Sequence, residues 1–64
     1  MPIIEVNVAQ GRSPNQIREL ITSVTDAVER VLGVARTSIR VIVHEIPKTN
    51  WAAGDITLAE REGT

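Results

Sequence analysis

Between Pro14 and Leu32, apolar residues recur every three or four positions: Ile17, Leu20, Ile21, Val24, Ala27, Val28, Val31 and Leu32. Arg18, Glu19, Ser23, Asp26, Glu29 and Arg30 take the opposite side. The spacing predicts one amphipathic helix of about 19 residues. Ser13 suits its N-cap, Pro14 its first position, and Gln16 completes a capping box, while Gly33 suits the stop. A helix this long in so short a chain leaves only brief segments on either side for its apolar stripe to pack against. What those segments can form decides the fold.

Both flanks alternate. Residues 3 to 9 read as a strand, with Ile4, Val6 and Val8 toward the core and Ile3, Glu5, Asn7 and Ala9 on the other face. After a turn through Val34 to Thr37, Ser38 to Ile46 read as a second strand. Ile39, Val41 and Val43 form its core face; Arg40, Ile42, His44 and Ile46 form the other. Strand, helix, strand implies a right-handed crossover and hence parallel pairing. Pro47-Lys48-Thr49-Asn50 breaks the second strand. Trp51 to Thr57 suit a small hairpin turning at Gly54-Asp55, and the polar stretch Leu58 to Thr64 is expected to fray. The class is α+β: a single domain over residues 1–64, a β-α-β unit with two parallel strands, one long helix and a small C-terminal hairpin.

Such a unit is incomplete. A 64-residue chain buries only about 60% of its unfolded surface, and no cysteine is present to staple it. Yet 42% of the residues are hydrophobic, with Trp51 the one aromatic. One helix covers one face of a two-stranded sheet and leaves Ile3, Ile42 and Ile46 bare, so a homo-oligomer is expected. Seven basic and eight acidic residues are scattered along the chain, which argues against a nucleic-acid groove or an anionic membrane as partner. No run approaches the roughly 20 apolar residues of a membrane span, and the start lacks the regions of a signal peptide. A cytoplasmic protein without metal or other cofactor is expected.

Chemistry enters at Pro2. Inside a chain its nitrogen is a tertiary amide without basicity. If Met1 is trimmed, it becomes a secondary amine at the head of a strand, with an intrinsic pKa of roughly 7.7–8.0. Neighbouring arginines and an apolar wall would lower that value and leave a neutral base at cellular pH. With Met1 retained, the nitrogen is tied up. Arg40, mid-strand among aliphatic residues, is either a snorkelling or ion-paired arginine, with Glu5 or Glu45 as partners, or a carboxylate anchor. Arg12, beside Gly11 and just before a helix N-terminus, is either a solvated charge or an anion contact. Pro2 and Arg12 are separated by on the order of 25 Å of strand, so joint action needs a second chain, brought in by antiparallel pairing of protomers. His44 reads as an interface or surface histidine, Trp51 as an interface plug or a pocket wall, and Asp55 and Glu45 as turn and surface charges.

Met1-Pro2-Ile3-Ile4, Gly11-Arg12-Ser13, the long helix, Thr37 to Val43 and Trp51 with Gly54 together resemble the 4-oxalocrotonate tautomerase family, from Pro2 to about Leu58. The resemblance implies a β-α-β protomer assembled as a trimer of dimers. It also implies that amino-terminal Pro2 shuttles a proton between an enol oxygen and a carbon of the substrate. Arg12 of a partner would hold the distal carboxylate, and Arg40 of a neighbouring dimer the 2-oxo/1-carboxylate end. Trp51 would take the place of the family's aromatic wall, usually Phe, with Ser38 and Ile3 lining the pocket. Typical substrates are 2-hydroxymuconate and related dienols from aromatic degradation. Ala9 stands where a larger aliphatic pocket residue is often found, which widens the site. Ala52-Ala53-Gly54-Asp55 replaces a hairpin with two adjacent glycines, and Ala53 stands where the family's hydratases place a carboxylate. The expected activity is therefore tautomerisation of a small 2-hydroxydienoate or 2-oxo acid, with a small dicarboxylate or 2-oxo acid as partner molecule. The alternatives are a hydratase or decarboxylase on a small unsaturated or 3-oxo acid, and a non-catalytic oligomeric module.

Overall fold

The computed structural model describes residues 1–63. Strand β1 (Ile3–Ala9) leads to helix α1 (Pro14–Leu32), a 3-10 turn (Arg36–Ser38), strand β2 (Arg40–Ile46) and a second 3-10 turn (Lys48–Asn50). Two short strands, β3 (Ala52–Ala53) and β4 (Ile56–Thr57), and helix α2 (Leu58–Glu62) complete the chain. β1 and β2 pair in parallel from Ile3 opposite Arg40 to Ala9 opposite Ile46. The ladder is prolonged at both ends, where Arg40 N–H donates to the Pro2 carbonyl (3.0 Å) and Gln10 N–H to the Ile46 carbonyl (2.9 Å).

Local chemistry accounts for the elements. Ser13 and Gln16 cap α1 reciprocally: each side chain accepts from the other's backbone N–H, at 3.1 and 2.9 Å. Gly33 ends the helix in the left-handed region at φ 66°, where a β-carbon would be strained. The hairpin turn holds both Gly54 and Asp55 at positive φ, 60° and 68°, as a two-residue connection requires. Asp is one of the few side chains that accepts that region at modest cost, so the hairpin forms without adjacent glycines.

Four expectations need correction. β2 begins at Arg40, not Ser38, because Arg36 to Ser38 coil into a 3-10 turn closed by Ser38 N–H to the Ala35 carbonyl (2.9 Å). Leu58 to Glu62 form a helix rather than a frayed end; the Thr57 hydroxyl caps it by accepting from Glu60 N–H at 3.0 Å. Thr64, the last residue of that stretch, lies outside the described residues. Val31 and Leu32 continue the apolar spacing of α1 but are exposed, at 71% and 58%, since no described residue covers the last turn. Ile46, expected bare, is half-buried where the chain turns away at the strand's end.

The core is thin. Ile39 is the one buried hydrophobic residue among those described, while Ile3 and Ile42 on the uncovered sheet face are 62% and 42% exposed. The α1 stripe from Ile17 to Val28 is half-buried. A folded monomer of this mass exposes about 4,000 Å²; this chain exposes 4712 Å². Its radius of gyration is 14.9 Å, against about 11 Å for a compact domain of this length. The protomer is a slab 46 × 24 × 14 Å. The C-terminal hairpin and α2 make their main contacts with the Lys48–Asn50 turn.

Because the capping box fixes where α1 starts and how the Arg12 loop enters it, Ser13→Ala should cost about 1 kcal/mol. Urea denaturation followed by circular dichroism checks this, with a lower midpoint and an unchanged slope expected.

Candidate active site

The residues singled out in the sequence fall into two groups at opposite ends of β1. At the head of the strand, Pro2 is half-buried behind an 80%-exposed Met1. Its carbonyl accepts from Arg40 N–H, and Ile3 is the register partner of Arg40. Ser38 closes the preceding turn, its hydroxyl donating to the Ala35 carbonyl at 2.7 Å. Backbone proximity does not bring the side chains of Pro2 and Arg40 together. Alternation sends Arg40 to the open face with Ile3, while Ile4 and the other even positions of β1 face the helix.

The Arg40 guanidinium is held from its own side. One of its amino groups donates to the Thr37 carbonyl at 2.7 Å, and within the protomer it pairs with neither Glu5 nor Glu45. That carbonyl belongs to the Arg36–Ser38 turn, which is clamped to α1. Arg36 reaches Asp26 at 2.8 Å and Glu29 at 3.1 Å, pairing with both carboxylates. Hydrogen bonds to Asp26 first and Glu29 second raise the Arg36 pKa above its ordinary value. The cation is solvent-exposed, so the clamp works by geometry, fixing the turn against the helix, more than by energy.

At the far end of β1, roughly 20 Å away, the chain bends through Gly11 at φ 121°. A cleft of about 340 Å³ opens there. Ala9, Gly11 and Arg12 form one wall, and Lys48 with Leu58, Arg61 and Glu62 of α2 forms the other. Arg12 also borders a second groove of about 370 Å³, floored by Pro14, Ile17 and Ile21 and edged by Arg18 and Glu45. Half-buried Trp51 lies in neither; its carbonyl accepts from Leu58 N–H at 2.9 Å, joining the hairpin to α2. His44 lies exposed on the open sheet face.

Thus one protomer gathers Pro2, Ile3, Ser38 and the Arg40 backbone at one end and Ala9 with Arg12 at the other. Sequence reasoning missed Lys48, Arg61 and Glu62. The missed signal was Thr57-Leu58-Ala59-Glu60, a helix-start pattern that would have put Leu58, Arg61 and Glu62 at i, i+3 and i+4, on one face. Among the described residues no cluster of three or more His, Cys, Asp or Glu side chains is placed to hold a metal ion. Among the same residues no helix is long and apolar enough to cross a membrane.

A parallel β-α-β unit with an open sheet face carries a proline at the strand head and arginines at both ends of the pair. The tautomerase enzyme family model matches residues 2–61, and the chain belongs to that family of isomerases. A probable tautomerase of Staphylococcus epidermidis is 38% identical over 61 residues, spanning 95% of this chain and all of that protein. Among solved structures, TomN, a 4-oxalocrotonate tautomerase homologue of the tomaymycin biosynthetic pathway, superposes with a TM-score of 0.95. It is 36% identical, with 98% of this chain and 97% of that one covered. A heterohexameric 4-oxalocrotonate tautomerase from Chloroflexus aurantiacus gives a TM-score of 0.89 at 32% identity, over 94% and 97% of the two chains.

Releasing the clamp should loosen the turn that orients Arg40. In Arg36→Gln, amide exchange at Ser38 and Ile39, whose N–H groups close that turn, should speed up. Val6 and Val43 in the strands should keep their protection.

Proposed function

We propose that this protein is a tautomerase acting on a small 2-hydroxydienoate or 2-oxo acid, with Pro2, freed of Met1, as the general base. The observation that carries the reading is the placement of Pro2. The family match begins at that residue, it is half-buried at the head of β1, and Met1 before it is 80% exposed and accessible to removal. A secondary amine there takes the proton from the substrate's enol oxygen and returns it to carbon. Cations near it keep the amine neutral and therefore basic.

Arg40 binds the 2-oxo/1-carboxylate end and stabilises the negative charge that develops on the oxygen. Arg12 holds the far carboxylate, and Ile3, Ser38, Ala9 and Trp51 line the pocket. The separation of the two groups along β1 requires that these residues come from different protomers. Antiparallel pairing of two chains sets one chain's Arg12 beside the other's Pro2, and a third chain's Arg40 completes the site. The bare Ile3 and Ile42 face and the thin core favour such an assembly, and the Chloroflexus aurantiacus relative is a heterohexamer. The homo-oligomer we infer is a hexamer working in the cytoplasm on acids of the kind produced in aromatic degradation.

Pro2→Ala should lower kcat toward 2-hydroxymuconate or phenylenolpyruvate by about two to four orders of magnitude with little change in KM. An unchanged rate removes the proline from the chemistry. Intact mass spectrometry of both proteins should show Met1 absent. Arg40→Ala should lower kcat as well as raise KM; an effect on KM alone would deny it the charge-stabilising role. Sedimentation of the wild type should give six copies per particle, whereas a stable monomer would contradict the shared site.

A further inference from the structure

Proton transfer at Pro2 leaves the charged far wall of the Arg12 cleft without a role. Lys48 Nζ lies 2.7 and 3.0 Å from the two carboxylate oxygens of Glu62. It also lies 3.9 Å from the point where a β-carbon on Gly11 would stand. The ammonium is therefore seated beside the loop that carries Arg12, within contact distance of where a Gly11 side chain would begin. Arg12 forms no hydrogen bond or ion pair with any described residue, whereas Arg61, on the same wall, donates to the Ala53 carbonyl at 3.4 Å. Three cations and one carboxylate thus line the cleft.

We propose that the Lys48–Glu62 pair is a specificity element, setting how strongly the cleft takes the second carboxylate of a dianionic substrate relative to a monoanionic one. The inference rests on the tautomerase reading, in which Arg12 holds the far end of the substrate. Glu62 cancels most of the Lys48 field at Arg12. Removing the Glu62 charge uncovers a second cation beside the incoming carboxylate; removing the Lys48 charge uncovers an anion in the same place. Both side chains are partly solvated, at 36% and 62% exposure, so the effect is moderate and sensitive to salt.

The pair also ties the five-residue α2 to the Lys48–Asn50 turn, and a purely structural role has a different signature. If the bond only held α2, breaking it from either side would have the same consequence. If its charges act, the two breaks have opposite consequences and cancel when combined. The test compares wild type, Glu62→Gln, Lys48→Gln and the double variant on 2-hydroxymuconate, which carries two carboxylates, and phenylenolpyruvate, which carries one. Glu62→Gln should lower KM for the dicarboxylate by roughly two- to fivefold and Lys48→Gln should raise it by a similar factor. The double variant should return to the wild-type value. In every variant kcat and the phenylenolpyruvate KM should stay nearly constant, and high salt should erase the differences. Shifts in the same direction for both single variants, or equal shifts for both substrates, would overturn the proposal. A protein inert toward both substrates would reject the proton-transfer reading instead. The cleft is then read by titrating muconate while following the Arg12 amide by nuclear magnetic resonance. The same affinity order would uphold the specificity element, and equal affinities would reject it.

Discussion

Everything in this molecule follows from one helix being asked to cover a sheet of only two strands. α1 can shield one face, and it does so with the stripe from Ile17 to Val28 against Ile4, Val6, Val8, Val41 and Val43. The opposite face stays open, with Ile3 and Ile42 in solvent, and Ile39 is the one buried hydrophobic residue among those described. A chain of this length that exposes more surface than a compact monomer of its mass has little margin against the entropy of ordering it. Covering the open face with further copies removes that deficit. In the proposed tautomerase the same incompleteness would serve the chemistry, because the residues assigned to one site lie at opposite ends of a strand and only association would unite them.

Much of this was legible beforehand, where one periodicity and one boundary signal agreed. The bounds of β1 and α1 follow from alternation and from Ser13, Pro14, Gln16 and Gly33, each of which settles its position with a local hydrogen bond or a backbone angle. The start of β2 was not legible to that precision. Ser38 and Ile39 continue the alternation, but Arg36 bonds to Asp26 and Glu29 across a gap of seven to ten residues. That long-range clamp accompanies a 3-10 turn, and no local pattern announces it. The exposure of Val31 and Leu32 was hidden for a related reason: helical spacing says which side is apolar, not how far along the helix the sheet continues beneath it.

The C-terminal segment teaches the complementary point. Leu58 to Glu62 look polar and dispensable when read as composition. Read as positions, Thr57 and Glu60 start a helical turn that puts Leu58, Arg61 and Glu62 against the Arg12 loop. Lys48, which looked like part of a strand breaker, then becomes the hinge between that turn and the cleft. The candidate residues at the strand head stand out in the sequence because each has an unusual chemistry for its place: an amine-forming proline, and a cation among aliphatics. The cleft residues are ordinary surface charges one by one, and they acquire a meaning only through the space they share.

The two ends of β1 therefore face different physical problems. In the proposed reaction Pro2 must be a base that stays neutral, which favours partial burial and nearby positive charge held in place, as Thr37 and the Arg36 clamp hold Arg40. At Arg12 the proposed role is reversible capture of a carboxylate in water. An isolated cation on a solvated loop holds an anion weakly, and a cluster of uncompensated cations would retain product as well as substrate. Three cations partly offset by Glu62 lie between those limits. Such a balance can be moved by single charge changes at the rim of the cleft while the base and its anchoring arginine are left alone. On the proposed reading, the fold separates the setting that fixes the reaction from the setting that fixes which acids enter it.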